Sequence, residues 1–162
     1  MWLMITPVGS DSSWDADWVP RNNPWGEIVG WNELSDAGFL WHHFTINYEL
    51  ILGGVDFSRR GIGVSLFDFA FMLSWVEIEL NRTGKCLTSL SNMDLWFSFE
   101  LRNELVYIQA SYVEEVAVCS LGEIAELSSS AVFDSFRLIG KFHPECRNSH
   151  YLKNKLQGFL RL

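Results

Sequence analysis

The chain predicts an α+β fold, a mostly antiparallel sheet covered by helices on one side, and three observations carry that expectation. Strand-like alternation is gathered into two stretches, residues 44–64 and 95–119. Helical periodicity occupies residues 65–83 and then everything from 121 onward, so strands and helices are segregated. The 162 residues are 48% hydrophobic and 15% aromatic, enough to fill a core at the usual size of one domain. We therefore expect a single domain, 1–162, in which an irregular arm, 1–40, packs on a body, 41–162.

The arm differs from the rest in composition. It holds three of the four prolines (Pro7, Pro20, Pro24) and five of the eight tryptophans (Trp2, Trp14, Trp18, Trp25, Trp31). No period of 2 or 3.6 persists there, so an irregular path pinned by aromatics is expected, with one helical turn near Asp15–Val19. Phe44 to Leu50 alternates apolar and polar residues, the signature of a half-buried strand, and Gly53-Gly54 then permits a tight turn. Val55 to Val64 forms a second strand, broken at Arg59-Arg60-Gly61.

Ser65 to Thr83 reads as the main helix. Ser65 is its cap, Asp68 stands where a capping box has Glu, and Gly84 is the stop. Phe69, Met72, Val76 and Leu80 share one face, with Leu66 and Leu73 beside them, so the helix is largely buried. Leu95 to Leu101 and Val106 to Tyr112 alternate on either side of the polar turn Arg102-Asn103-Glu104, which makes the clearest hairpin. Val116 to Cys119 adds a short strand. From Leu121, Ile124, Leu127, Ala131, Phe136, Ile139 and Phe142 recur at helical spacing, with Ser128-Ser129-Ser130 as an interruption and Pro144 as the end. Asn148 caps a last helix whose apolar side carries Tyr151, Leu152, Leu156, Phe159 and Leu160, with Lys153, Lys155 and Arg161 toward its C-terminal end.

Charge is unevenly placed. Residues 1–127 carry 18 acids and 6 bases, a net −12, and residues 128–162 carry 2 acids and 6 bases, a net +4. An acidic body argues against nucleic acid, whose phosphates need a basic footprint, and suits either plain solubility or a basic protein partner. No secretory leader is read at Met1–Ile5, and the longest apolar stretch, Gly61 to Val76, is interrupted by Asp68, which speaks against a membrane span. Three widely spaced cysteines, Cys86, Cys119 and Cys146, read as buried free thiols in a reducing, cytoplasmic compartment.

Chemistry-bearing motifs are sparse. His143, Cys146 and His150 place three possible metal ligands within eight residues, but a closed zinc site needs a fourth ligand and none lies nearby in sequence; turn and cap residues are the simpler reading. His42-His43 has no Asp, Cys or Ser at a telling distance. Gly61-Ile62-Gly63 is too short for a phosphate loop, and no nucleophile motif occurs. No cofactor is expected. The unusual feature is the arm, where Trp14, Asp15, Asp17, Trp18, Trp25, Glu27, Glu33 and Asp36 interleave indoles, favoured binding anchors, with carboxylates suited to a basic partner. The competing reading is that the indoles tie the arm to its own body.

In layout, residues 44 to 160 resemble the small bacterial immunity proteins of polymorphic toxin and contact-dependent inhibition systems. The likeness lies in the strand Phe44–Leu52, the helix Ser65–Thr83, the hairpin Leu95–Tyr112 and the terminal segment from Phe142 to Leu160 containing Tyr151-Leu152. The resemblance implies a tight one-to-one complex with a cognate toxin domain, blocking its active site or an essential surface. The chain is expected to be a monomer or weak dimer before that complex forms, and the missing nucleophile motifs speak against an enzyme. It carries no functional residue across. Two other readings stand beside it: a small metal-assisted enzyme using His143, Cys146 and His150, and a structural or adaptor subunit.

Overall fold

Eight strands divide into two antiparallel sheets in the computed structural model, which describes residues 1–91 and 93–159. The first sheet contains β1 (Trp2–Pro7), β2 (Thr45–Leu52), β3 (Val55–Asp56) and β4 (Arg59–Ser65), with β2 paired to all three others. The second runs β5 (Lys85–Ser89), β6 (Trp96–Arg102), β7 (Leu105–Ala110) and β8 (Val113–Ser120) in chain order. Helix α1 (Leu66–Thr83) joins the sheets, α2 (Leu121–Phe142) follows the second, and α3 (His150–Phe159) closes the described chain. The α+β class and the antiparallel pairing are thus as the sequence predicts. Among the described residues no helix is long and apolar enough to cross a membrane. Leu160, Arg161 and the side chain of Phe159, placed on the last helix from sequence, lie outside the description.

Local chemistry explains most boundaries. In β2, Ile46, Tyr48, Leu50 and Leu52 are buried while Thr45, Asn47, Glu49 and Ile51 face outward, the period-2 pattern of a strand with one covered face. In the second sheet, Phe97, Phe99, Val106, Ile108, Ala117 and Cys119 point into the core and the alternate residues do not. Helix α1 is buried all round in its first turns and leaves Trp75 and Asn81 to Thr83 exposed, touching β4, β5 and β6 as well as α2, and α2 reaches β1, β7 and β8. The buried residues of both sheets, α1 and α2 belong to one apolar cluster. All three cysteines are buried and unpaired.

The turn between β6 and β7 is tighter than expected. Arg102 stays in the strand, and only Asn103 (φ 48°) and Glu104 (φ 68°) turn the chain, both in the left-handed region. That is the two-residue hairpin geometry whose second position favours glycine. Glu104→Gly is therefore expected to stabilise the protein by about 0.5–1 kcal/mol, read as a higher urea midpoint. An unchanged or lower midpoint would show that the Glu104 backbone carries no strain.

Several expectations are corrected. The first residues are a strand: β1 pairs with β2 from Trp2↔Ile51 to Pro7↔Ile46. Its residues are apolar on both faces, Trp2 and Met4 outward and Leu3 and Ile5 inward, so no alternation is visible in the sequence. The helical turn of the arm is a 3-10 turn at Ser12–Trp14, capped by Asp11 and placed earlier than Asp15–Val19. Asp68 does not box the start of α1; its carboxylate accepts from the backbone N–H and hydroxyl of Ser91, 23 residues away. The capping box belongs to α2, where Ser120 and Glu123 exchange side chain–backbone bonds. The serine run does not interrupt α2, because the Ser128 hydroxyl donates to the Leu73 carbonyl of α1 and becomes an interhelix tie. Ser149, whose hydroxyl accepts from the Leu152 N–H, caps α3 in place of Asn148. Strand β5 was not visible in the sequence, since only Cys86 of its five residues is buried.

Candidate functional site

The arm from Val8 to Phe44 is irregular but closely tied down. The Asp11 carboxylate accepts from the Ser13 N–H at 2.9 Å and from the Thr45 N–H and hydroxyl at 2.6 and 2.5 Å. Burial opposes the charge, but these bonds together outweigh it and hold the carboxyl below its ordinary range. The Ser13 hydroxyl accepts from the Phe44 N–H, and the Trp14 indole N–H donates to the Thr45 carbonyl at 2.7 Å. Trp14, Trp18 and Trp31 surround Phe44 with ring centroids 5.3, 5.2 and 6.3 Å away. Aromatic packing of this kind adds to area burial.

Two buried histidines complete the anchorage. His43 Nε2 lies 2.5 Å from the Arg21 carbonyl, and His143 Nε2 lies 2.7 Å from the Ser13 carbonyl. A carbonyl only accepts, so both Nε2 atoms carry hydrogen. Burial holds His43 below its ordinary imidazole value, with the Arg21 bond and the Asp11 charge opposing and His42 assisting. The unfolded chain therefore binds more protons than the folded one just below pH 6.5, and stability is lost as pH falls from there toward the folded value. Thermal melts between about pH 7 and pH 5 are expected to show a falling midpoint that His43→Gln flattens. Equal slopes for the two proteins would remove His43 from this role.

Past these anchors the arm projects a small hairpin. Arg21 and Ile28 form an antiparallel bridge, and the Val29 N–H bonds the Pro20 carbonyl at 3.0 Å. Inside it, the Asn23 side chain accepts from the Trp25 N–H, and the Arg21 guanidinium donates to the Gly26 carbonyl at 2.9 Å. Asn23 thus makes the side chain-to-backbone turn to which asparagine is suited. The result is a fixed loop with Trp25 at its tip, 95% exposed. Val19 and Ile28 are exposed on the two arms of the same hairpin.

The sequence-predicted residues separate into two groups. Trp14 is 5% exposed and Trp18 is half-buried against Trp31, His43 and Phe44, so both serve to seat the arm. They were expected to contact a partner, but they face their own body, and nothing in the sequence distinguishes an anchor from an outward tip. Trp25, Asp15, Asp17, Glu27, Glu33 and Asp36 are exposed. Among the described residues none of these five carboxylates is in an ion pair, although Glu33 accepts from the Gly30 N–H and Asp36 from the Ala37 N–H. The first 58 residues hold eight carboxylates against one base, Arg21. Val19 and Ile28, exposed on the same hairpin as Trp25, were missed; apolar residues close to the Pro20–Gly26 turn segment are their only signal.

The metal candidates are not assembled. His143 is buried and spends Nε2 on Ser13, Cys146 is buried, and His150 is exposed at the start of α3. Burial, helped by Glu145, pushes the Cys146 thiol up to about 11, which keeps it protonated and a poor ligand or nucleophile. Among the described residues no three His, Cys, Asp or Glu side chains are grouped to hold a metal ion. No protein-family model matches the chain, and no curated protein or solved structure is significantly similar to it.

Proposed function

We propose that this chain is a binding protein of the immunity type, which neutralises a basic partner, a cognate toxin domain, by covering its active site or functional surface. One observation carries the reading: an indole 95% exposed at the tip of a hydrogen-bonded loop, in an arm whose exposed carboxylates have no cationic partner among the described residues. A large apolar surface held out in water costs free energy that contact with a partner recovers, and tryptophan is the commonest residue to act as such an anchor. The loop is already ordered by its own bonds, so little conformational freedom is lost on docking. Unpaired carboxylates in the arm accelerate encounter with a basic protein, and the apolar contact slows release. The docking set is Trp25 with Val19, Ile28, Asp15, Asp17, Glu27, Glu33 and Asp36.

The test begins with capture of partners on the intact protein from its source cells, eluted across a salt series, followed by co-expression of each basic candidate. A partner whose toxicity is suppressed by this chain is then used for kinetics. Asp15→Asn, Asp17→Asn, Glu27→Gln and Glu33→Gln combined are expected to slow association and flatten its salt dependence. Trp25→Ala is expected to accelerate dissociation by about thirtyfold or more. Association and dissociation both unchanged in these variants would sink the arm as the docking face.

A further inference from the structure

We propose that this chain forms a reversible two-fold dimer, in which the Trp25 loop of each copy enters an apolar groove at the C-terminal end of the other. The groove lies between the end of α2, the 3-10 turn Pro144–Asn148 and α3. Phe136, Pro144, Leu152 and Leu156 are among its apolar walls, and Arg147 and Lys153 line it as well. Its volume of about 300 Å³ is at the low end for ligand sites, which suits one large side chain better than an extended ligand. An indole is such a side chain, and Trp25 stands exposed on a loop ordered by its own bonds.

Charge decides between occupants. Residues 141–159 carry Lys141, Arg147, Lys153 and Lys155 against Glu145 alone, on a chain whose net charge is −8. Arg147 and Lys153 are exposed, and among the described residues neither is in an ion pair. An apolar slot with a cationic rim calls for an apolar anchor flanked by carboxylates. The arm has that composition: Asp15, Asp17 and Glu27 are exposed on either side of Trp25 in sequence, and its one base, Arg21, donates to the Gly26 carbonyl within the loop. A basic protein is repelled by the two cations, and a neutral ligand gains nothing from them. Other acidic aromatic ligands share the chemistry of the arm, but the second copy is the one that the chain itself supplies at equal concentration.

Placement favours a reciprocal exchange. The arm is seated next to the groove: His143 Nε2 donates to the Ser13 carbonyl and Tyr151 stacks on Phe39, while Pro144 and Leu152, each the next residue in the chain, line the groove. Neighbouring patches of opposite charge face each other across a two-fold axis, so each copy gives its loop and receives the other's, and the assembly closes at two. A toxin that docks on the same arm must then displace the second copy; this consequence alone rests on the toxin-docking reading.

The experiment is sedimentation equilibrium of the purified full chain from about 10 µM to 1 mM, at low and high salt. A monomer–dimer equilibrium that salt weakens is the expected result. Trp25→Ala is expected to weaken it by about tenfold or more. Gly140→Leu is expected to do the same, since it fills the groove from α2, where a Cβ meets nothing within 4 Å, and puts a better helix former in place of glycine. Charge reversal is the sharper test. One protein carries Asp15→Lys, Asp17→Lys and Glu27→Lys, and another carries Arg147→Glu and Lys153→Glu. Each alone is expected to be a monomer, because like charges meet at both contacts. Their mixture is expected to dimerise, because both contacts then join opposite charges, and adding Trp25→Ala to both proteins is expected to abolish that heterodimer. A wild-type chain that stays monomeric at every concentration overturns the proposal. So does a dimer that Trp25→Ala or Gly140→Leu leaves unchanged, or a mixture of the two reversed proteins that stays monomeric. All of this is read on the chain alone, so a failed toxin capture leaves it standing.

Discussion

Gly53→Ala is expected to destabilise the protein by about 3 kcal/mol, while the same change at the adjacent Gly54 costs only about 1 kcal/mol. Both glycines adopt positive φ, 53° and 83°, so both substitutions place a Cβ where an L-residue is strained. Their surroundings differ. A Cβ at Gly53 falls 2.5 Å from the Val118 carbonyl oxygen and 2.7 Å from the Val118 nitrogen, whereas a Cβ at Gly54 meets nothing within 4 Å. The Val118 atoms belong to the main chain of β8 and cannot rotate aside, so the β2–β3 turn must retreat from the second sheet. The contact is one of the places where the two sheets meet. Urea unfolding of the two variants checks this, and equal losses at 53 and 54 would show that the close approach to β8 is not rigid.

Trp14→Ala is expected to cost about 3–5 kcal/mol, the range for removing a large buried aromatic. The indole packs edge-on against Phe44 and Phe142, both at 5.3 Å, so its loss leaves a hole between the arm, β2 and the end of α2. The Thr45 carbonyl also loses its indole donor and keeps only the Val8 N–H. Trp14→Phe keeps most of the ring contact and loses the hydrogen bond, so its cost falls to about 1–3 kcal/mol. The damage also has a place: protease sites between Ala16 and Ala37 become accessible before the body unfolds. Trp25→Ala provides the contrast, because its exposed indole contributes little to the fold and stability changes by no more than about 0.5 kcal/mol. A Trp14→Ala protein as stable as Trp25→Ala would mean that the arm is not seated by its indole.

These two tryptophans show how far the sequence reaches. Trp14 and Trp25 stand in the same acidic, aromatic segment, and each is a plausible anchor by residue type. Trp14 follows Asp11 and Ser13, whose bonds to Thr45 and Phe44 carry it into the core. Trp25 follows Asn23-Pro24, whose turn carries it outward. The partners of the first are more than 30 residues away and leave no mark in the local pattern. Ser98 and Gln109 are illegible for a related reason: each is the outward half of an alternating strand, and only the register of β6 against β7 puts them side by side.

What the sequence determined by itself is local. The alternation of β2, β6 and β7, the helix from Leu66 with its left-handed stop at Gly84, and the acidic bias of the first 127 residues all follow from near-neighbour patterns. Periodicity reports which side of a segment is covered, and each of these segments has one consistent covered side. The tertiary structure decided the rest: the partition of strands into two sheets, the hidden strand β1, the passage of α2 through its serines, and the sorting of tryptophans into anchors and an exposed tip. Each of those depends on a bond or contact between remote residues, such as Ser128 with Leu73 or Asp68 with Ser91. A polar side chain satisfied by a distant partner has the same sequence signature as one facing water, and only the packed chain tells them apart.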